Sequence, residues 1–217
     1  MSILKKLFGK KDTQLSESEL EQFYLEKDKA LERALGKQAP VVGHAIIGFQ
    51  VGGTVDMYYY PHKNKGCIFA SQELINPNEE NPLPNRLGLY ELVALTKHNF
   101  EESDKLGEGN FGQIERRFCG IFTGIGNFSF QAKLEPGETC ELPVDGEPNR
   151  CLIFDEYTDV NEPFKVNGNN YGLLLIIEVH REEMEFAMQN GSQELFKKLK
   201  AKGYYPYSDL DRPSVVN

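Results

Sequence analysis

The stretch Gly172-Leu-Leu-Leu-Ile-Ile-Glu-Val179 decides the fold of this chain. Six of its eight residues are apolar, and Gly172 and nearby charged residues bound the run. A membrane span requires about 20 apolar residues, so this run is too short to be one. A short apolar run with such boundaries is typical of a strand buried on both faces of a sheet. The sequence therefore predicts a central strand at residues 171–179.

Two short helices are predicted directly after this strand. Their apolar positions recur at helical spacing: Met184, Ala187 and Met188 in the first, and Leu195, Phe196 and Leu199 in the second. Asn190-Gly191 can supply a left-handed cap for the end of the first helix, and Ser192 is predicted to cap the start of the second. Gly203 is expected to end that second helix.

The residues before the central strand predict one helix followed by several strands and a further helix. Ser16-Glu-Ser-Glu19 matches a capping box and opens an amphipathic helix that ends at Gly36. Residues 44–51 and 54–60 are rich in β-formers, and Gly52-Gly53 predicts a hairpin turn between them. Further strands are predicted at 66–73, 87–96, 127–134, 138–143 and 150–155, and a helix at 111–122. This order predicts an α+β fold in which α-helices flank a mixed, largely antiparallel β-sheet.

Length and composition predict one domain. The chain has 217 residues, 40% of them hydrophobic, and no Ser/Gly-rich linker divides it. We expect a single domain over residues 16–217, preceded by a basic, flexible arm over residues 1–15. The arm lacks the long apolar region of a secretory signal, so it is expected to be retained. A solvated arm is preferred to a membrane-touching one, and no transmembrane segment is predicted elsewhere.

Charge and cysteine content restrict the class of partner and the compartment. The formal net charge is −9, which disfavours nucleic acid as a direct ligand because phosphates are bound mainly by clustered Lys and Arg. A basic protein partner suits this charge better. The cysteines at 67, 119, 140 and 151 are widely spaced and form no C-x-x-C pair, which predicts reduced thiols in the cytoplasm.

One segment matches a catalytic motif. Residues 106–114 fit the glycine-rich loop of protein kinases. The sequence contains no D-F-G, however, and only 35 residues follow His180-Arg-Glu182, its nearest approach to H-R-D. We therefore interpret the segment as a loop between a strand and a helix. The four histidines have no metal-ligand spacing, so no metal site and no cofactor are predicted.

Two groups of carboxylates remain as candidate functional residues: Asp155, Glu156 and Asp159, and Glu178, Glu182, Glu183 and Glu185. One alternative is a small hydrolase-like enzyme that uses them in an acidic cleft. The preferred interpretation is a negative rim that orients a basic protein partner, with no catalytic residue. Tyr157 and Tyr171 suit a role as aromatic anchors in such an interface.

Four segments of this sequence also resemble, in their order along the chain, those of the Suppressor of fused family. They are Gly53–Pro61, Gly66–Leu74, Leu87–Thr96, and the buried strand followed by E-x-E-F-A-x-x-x-G-x-x-x-L. The resemblance covers about residues 40–213. Because each segment is a packing pattern, it informs the fold more than the chemistry.

The resemblance implies a non-enzymatic protein-binding function. The family's animal regulator clamps a peptide of a transcription factor, and many bacterial single-domain relatives are inferred to be immunity proteins that neutralise toxins of polymorphic toxin systems. In the animal regulator an acidic segment ahead of the long strand lines the peptide groove, and its counterpart here is Leu152–Asp159. The predicted partner-binding residues are Asp155, Glu156, Tyr157, Asp159 and Tyr171. We expect a cytoplasmic immunity protein that binds a basic toxin, without nucleic acid or stable membrane insertion; a regulatory scaffold with an endogenous protein partner remains an alternative.

Overall fold

The computed structural model describes residues 14–62, 66–100, 109–144 and 146–216. Its helices are α1 (Glu17–Leu35), α2 (Gly109–Ser129), α3 (Arg181–Asn190) and α4 (Ser192–Ala201). Its strands are β1 (Val42–Gly43), β2 (Met57–His62), β3 (Gly66–Ala70), β4 (Tyr90–Thr96), β5 (Thr139–Val144), β6 (Glu147–Glu156), β7 (Lys165–Val166), β8 (Asn169–Asn170) and β9 (Gly172–Val179). Residues 1–13, most of the predicted arm, and residues 101–108 lie outside the described residues. The glycine-rich segment 106–114 was interpreted as a loop, but its described part, from Gly109 onward, belongs to α2.

The strands form one large sheet in the order β1-β2-β3-β4-β9-β6-β5 and a small β7-β8 ribbon, which sequence analysis did not predict. Neighbouring strands of the large sheet are antiparallel except β4 and β9, which are parallel. The helices pack on both faces of this sheet. The predicted α+β class, with a mixed and largely antiparallel sheet, is confirmed.

Strand β9 is buried along its whole length, as predicted. Because successive side chains alternate between the faces of a sheet, its residues divide between two cores. Leu173, Leu175 and Ile177 join one core together with residues of α1, α3 and α4. Leu174 and Ile176 join the other core, which α2 covers. A continuous apolar run is needed here because neither face of the strand reaches water.

Helix α1 starts as the sequence predicts. The Glu19 carboxylate accepts a hydrogen bond from the Ser16 backbone N–H at 2.8 Å, and the Ser16 hydroxyl accepts one from the Glu19 N–H at 3.4 Å. Both halves of the capping box are therefore present.

Helix α1 also carries a lysine that is completely buried. The Lys27 ammonium lies 2.5 Å from Glu91 Oε1, and both side chains have no exposed surface. Lys27 donates to the carbonyls of Gln72 and Ile75 at 2.6 and 2.8 Å. Glu91 accepts hydrogen bonds from the Ser71 hydroxyl at 2.5 Å and the Ile75 N–H at 3.0 Å. Since Glu91 lies on β4, this pair ties α1 to the middle of the sheet.

The predicted strand at 44–51 and its hairpin at Gly52-Gly53 are wrong. Strand β2 pairs instead with β1, so the chain between them forms a protruding loop. The loop contains a 3-10 turn at Phe49–Val51, and the Gly53 N–H donates to the Gly48 carbonyl at 3.1 Å. A Cβ atom on Gly53 would lie 1.7 Å from the Ile47 carbonyl oxygen, so only glycine fits this turn. The β-propensity of the segment did not decide its structure because its apolar side chains have no sheet to pack on.

The predicted strand at 127–134 is also wrong, because α2 extends to Ser129 rather than ending at residue 122. Glycines at 120, 124 and 126 weaken the helical signal in the sequence. Packing overrides that weakness: Phe122 and Ile125 are fully buried against the sheet. Gly126 lets the Phe49 ring approach the helix, since a Cβ there would lie 3.0 Å from the Phe49 Cζ atom.

The two closing helices have nearly the predicted bounds, but their junction differs from the prediction. Gly191, with φ of +91°, occupies the cap position of both helices, and Ser192 is the first residue of α4. The Ser192 hydroxyl donates instead to the Gly137 carbonyl, ahead of β5. Met188, predicted to face the core, is 69% exposed. Other predicted strands and the helix cap at Gly203 lie close to their predicted positions.

Candidate functional site

The predicted partner-binding residues lie where β6 ends and where β9 begins. Asp155 Oδ2 accepts a hydrogen bond from the Tyr205 hydroxyl at 3.0 Å. Tyr157 is only 6% exposed, and its ring belongs to the core on the α1 face. The Tyr171 ring is half-buried, with its centroid 5.9 Å from that of Phe164. Glu156 and Asp159 are exposed.

These five residues do not form one cluster of exposed side chains. Asp155 and Glu156 are consecutive strand residues, so their side chains point to opposite faces of the sheet. Burial raises the pKa of Tyr157, in agreement with a ring that supports the core. Glu156 and Asp159 are the members that a partner can reach directly. Their role in partner binding stays a prediction.

In the second group of carboxylates, Glu178 and Glu183 bind different arginines. Glu178 is 2% exposed and accepts hydrogen bonds from Arg117 Nε and Nη2 at 2.5 and 2.7 Å. Glu183 is fully buried and accepts two hydrogen bonds from Arg212, at 2.6 and 2.8 Å. Each buried carboxylate thus accepts two charge-assisted hydrogen bonds from an arginine fork. This arrangement stabilises the fold and gives no support to the acidic-cleft alternative.

Strand β5 forms an open edge of the sheet. Its one neighbour among the described strands is β6. The Phe154 N–H donates to the Glu138 carbonyl at 2.9 Å, so the main chain of residue 138 faces β6. Because main-chain groups alternate in direction along a strand, those of Thr139 and Glu141 point away from the sheet. Pro143 lies where the register between β5 and β6 shifts, and proline within a sheet is confined to edge strands and bulges.

A groove of about 630 Å³ surrounds the start of this edge. Phe128 lines it from the end of α2 and Leu134 from the segment that follows, while Ala187 and Met188 line it from α3. Glu138 lies beside Thr139. Phe128 is 43% exposed. The groove therefore combines unpaired main-chain groups with exposed apolar side chains on both sides of the strand. The sequence did not predict this groove, because Phe128 was assigned to a strand and Met188 to a buried helix face.

A second open cleft, of about 470 Å³, lies at the other end of α2. His98, Gln113, Arg117 and Asp209 line it. Asp209 accepts hydrogen bonds from the Thr96 hydroxyl at 2.5 Å and the Lys97 N–H at 2.8 Å. Since Arg117 is held by Glu178, the charged groups in this cleft already have partners within the protein.

Glu73 is a partly buried carboxyl at the base of the 44–54 loop. Its Oε2 atom accepts a hydrogen bond from the Asp56 N–H at 2.7 Å. Burial raises the pKa of Glu73 to about 7, and the negative charges of Asp56 and Glu91 add to the shift, which the hydrogen bond from Asp56 and the charge of Lys27 partly offset.

We expect Glu73→Gln to flatten the pH dependence of stability near neutrality. The folded-state pKa of Glu73 lies above its ordinary value of 4.5, so the folded protein keeps a proton that the unfolded chain releases. The contribution of protonated Glu73 to the free energy of unfolding is therefore fully present below pH 4.5 and is lost as pH rises through 7. After allowing for solvent screening, the wild-type free energy of unfolding should fall by about 1–2 kcal/mol between pH 5 and 8 from this group. Urea titrations of wild type and Glu73→Gln between pH 5 and 8 measure this fall, and the exposed Glu80→Gln is the control. If the free energy of unfolding depends on pH equally in wild type and Glu73→Gln, the raised pKa of Glu73 is contradicted.

None of the described helices is both long enough and apolar enough to span a membrane. Within the described part of the chain, no three His, Cys, Asp or Glu side chains gather in an arrangement that could hold a metal ion.

Comparison with known proteins finds similarity in the fold alone. No family model matches the sequence, and no curated protein is similar to it in sequence. One solved structure, described as "the Sufu-Fu complex crystal structure", superposes with a TM-score of 0.62 at 13% sequence identity. The match covers 90% of this chain and 91% of that chain. The chain therefore has a Suppressor of fused-like fold, as the sequence resemblance led us to expect.

Proposed function

We propose that this chain is a non-enzymatic protein-binding module and, more specifically, an immunity protein that neutralises a toxin. The observation that carries the proposal is the open main-chain edge of β5, which lies between the exposed apolar side chains of Phe128 and Met188. A partner segment in the extended conformation can add to such an edge as a further strand.

Each part of the groove has a role in this binding mode. The outward N–H and C=O groups of Thr139 and Glu141 supply main-chain hydrogen bonds, which give affinity for any extended segment. Successive side chains of an added strand point to opposite faces, so one contacts Phe128 and the next contacts Met188. These apolar contacts supply selectivity, because only some side chains fit each flank.

Charge favours a basic partner. Glu138 lies in the groove, and Glu156 and Asp159 are exposed near the end of the adjacent strand. With a net charge of −9, the protein attracts cationic partners over long range and orients them on approach. Toxins that act on nucleic acid are commonly basic because they must bind phosphates. A cytoplasmic protein that covers such a surface would neutralise the toxin without any catalytic residue or cofactor.

A regulatory scaffold with an endogenous partner would use the same groove, so the partner's identity separates the two functions. The test is whether the purified chain binds a toxin encoded beside its own gene and protects cells that express that toxin. Protection together with binding supports the immunity function. Binding of a host protein without protection would support the scaffold instead.

We expect Thr139→Pro to reduce affinity for that partner by about 30-fold or more, because the substitution removes an outward N–H from the edge of β5 and places a ring in the way of an added strand. Calorimetry or surface plasmon resonance with the purified partner measures the effect.

The fold should survive this substitution, since the outward N–H of residue 139 makes no hydrogen bond to β6 and β5 is an edge strand, where proline is tolerated. Leu25→Asp, at an exposed position on α1, is the matched control and should bind as wild type does. Wild-type affinity in a folded Thr139→Pro protein would exclude the β5 edge as the binding site.

A further inference from the structure

The exposed large apolar side chains are concentrated around one turn of helix. Those in the described residues are Leu25, Ile46, Ile47, Val51, Leu83, Phe128 and Met188. Leu25 lies apart, on α1. Phe128 belongs to the last turn of α2, Met188 lines the same groove, and the Leu83 N–H donates to the Ser129 carbonyl at 2.9 Å. The remaining three lie on the 44–54 loop.

The 44–54 loop joins the same turn through Phe49. This side chain is 4% exposed, and its ring centroid lies 6.2 Å from that of Phe130. Its ring also lies against Gly126, where a Cβ atom would be 3.0 Å from Phe49 Cζ. The buried Phe49 therefore fixes the loop on one side of the helical turn, while the groove opens on the other side.

The tip of the loop points its side chains into solvent. Ile46 is as exposed as in an extended chain, at 103%, while Val51 is 79% and Ile47 is 59% exposed. Keeping these aliphatic groups in water forgoes the stabilisation that their burial would give. A group of exposed aliphatic side chains of this kind is typical of an interaction surface.

The base of the loop is held by specific bonds, so the tip has a defined position. Asp56 accepts a hydrogen bond from the Ala45 N–H at 2.8 Å, and its other oxygen lies 2.7 Å from His44 Nδ1. On the far side, the Val55 N–H donates to the Thr123 hydroxyl of α2 at 3.2 Å. An apolar tip that is already ordered loses little entropy when a partner covers it.

We propose that the protein that occupies the β5 groove continues across the last turn of α2 and buries Ile46, Ile47 and Val51 in an apolar socket. This inference rests on the proposed function and extends it to a second contact with the same partner. The loop and the groove both contact the last turn of α2, where the exposed Leu83 and Phe128 also lie. One partner can therefore cover the groove and the loop together.

Charge favours a basic protein as the occupant over an anionic membrane or a second copy of this chain. The Asp56 carboxylate at the base of the loop and the net charge of −9 are both negative. They repel the headgroups of an anionic membrane and also a second copy of this chain, whereas they attract a basic protein. We therefore infer that the socket on the partner protein is apolar at its centre and basic at its rim.

The test places a photoreactive benzoylphenylalanine at position 46, 128 or 25 of the full chain in cells that also express the partner. We expect positions 46 and 128 to cross-link to the same protein and position 25 to cross-link to none. With that protein purified, Ile46→Asp combined with Ile47→Asp should lower affinity by about 10-fold or more, because it buries charge in the socket. Leu25→Asp should leave the affinity within about 2-fold of wild type.

The outcomes separate this inference from the proposed function. Cross-linking from 128 but not 46, with unchanged affinity in the double aspartate variant, would overturn the loop contact and leave the groove intact. Cross-linking from neither position would overturn both. Wild-type self-association or binding to anionic vesicles that the double variant abolishes would also overturn the inference, since the occupant would then be a second copy or a lipid surface. The loop side chains are exposed, so circular dichroism should show an unchanged fold in the variant.

Discussion

Replacing Lys27 with methionine is expected to lower the free energy of unfolding by about 3–5 kcal/mol. The substitution keeps most of the side-chain volume but removes the positive charge beside Glu91. That carboxylate then lies fully buried without a counter-ion, and the carbonyls of Gln72 and Ile75 lose their donor. Burial itself lowers the pKa of Lys27, so the ion pair is already costly to bury, and removing one partner leaves that cost without its compensation.

Urea denaturation at pH 7 measures this effect. Lys29→Met is the matched control, because Lys29 lies on the same helix but is 55% exposed, and its pair with Glu26 should contribute less than about 1 kcal/mol. Adding Glu91→Gln to Lys27→Met should restore part of the loss, since the buried charge is then gone. A single Lys27→Met variant within 1 kcal/mol of wild type would show that the buried pair does not hold α1 to the sheet.

Replacing Arg212 with leucine is expected to cost about 2–4 kcal/mol, since Glu183 would lose two charge-assisted hydrogen bonds. Burial opposes ionisation of Glu183, but hydrogen bonds from Arg212 and from the N–H groups of Val215 and His180 hold the pKa of Glu183 below its ordinary value. Its stabilising contribution is therefore present above pH 4.5 and lost as pH falls below that value. The leucine variant should lose this acid-dependent component.

Urea titrations at pH 4 and pH 7 test both parts of this expectation. Arg33→Leu is a suitable control, because the Arg33–Glu162 pair is exposed, with Nε and Oε2 at 3.7 Å, and should contribute little. Limited proteolysis gives a second readout: Arg212 also packs over the Tyr204 ring at 5.0 Å, so its loss should free the segment after α4 for cleavage. Equal stability of the Arg212→Leu and Arg33→Leu variants would contradict the role assigned to Arg212.

Periodicity and capping signals predicted the parts of the fold whose side chains repeat. The apolar run of β9 and the capping box at Ser16 indicated their elements directly, because local physics and tertiary packing agree there. The strand predicted at residues 44–51 is wrong because β-forming side chains in this segment are exposed on a loop instead of packing on the sheet. The end of α2 was predicted wrongly because one of its glycines, Gly126, makes room for Phe49, a contact between residues far apart in sequence.

The candidate site was harder to predict for a related reason. An open strand edge is a property of the strand order, which the sequence does not reveal. Pro143 is typical of an edge strand or a bulge, but it does not show which strand lies last in the sheet. The Lys27–Glu91 pair is likewise invisible in a sequence, where Lys27 looks like one of many surface charges on α1. The predicted residues Asp155, Glu156 and Asp159 lie at and beyond the end of β6, whereas Tyr157 is buried, and their role in partner binding stays a prediction.

The parallel pairing of β4 with β9 has a consequence for how the chain reaches its native state. Tyr90 pairs with Gly172, so the two residues at this seam are 82 positions apart. Strands β1 to β4 form one antiparallel block and β9, β6 and β5 form another, and β9 is the last strand to leave the ribosome. Closing so long a connection is slow. We therefore expect pairing across this seam to join the two blocks late in folding, because one edge of β4 has no partner strand until β9 has been synthesised.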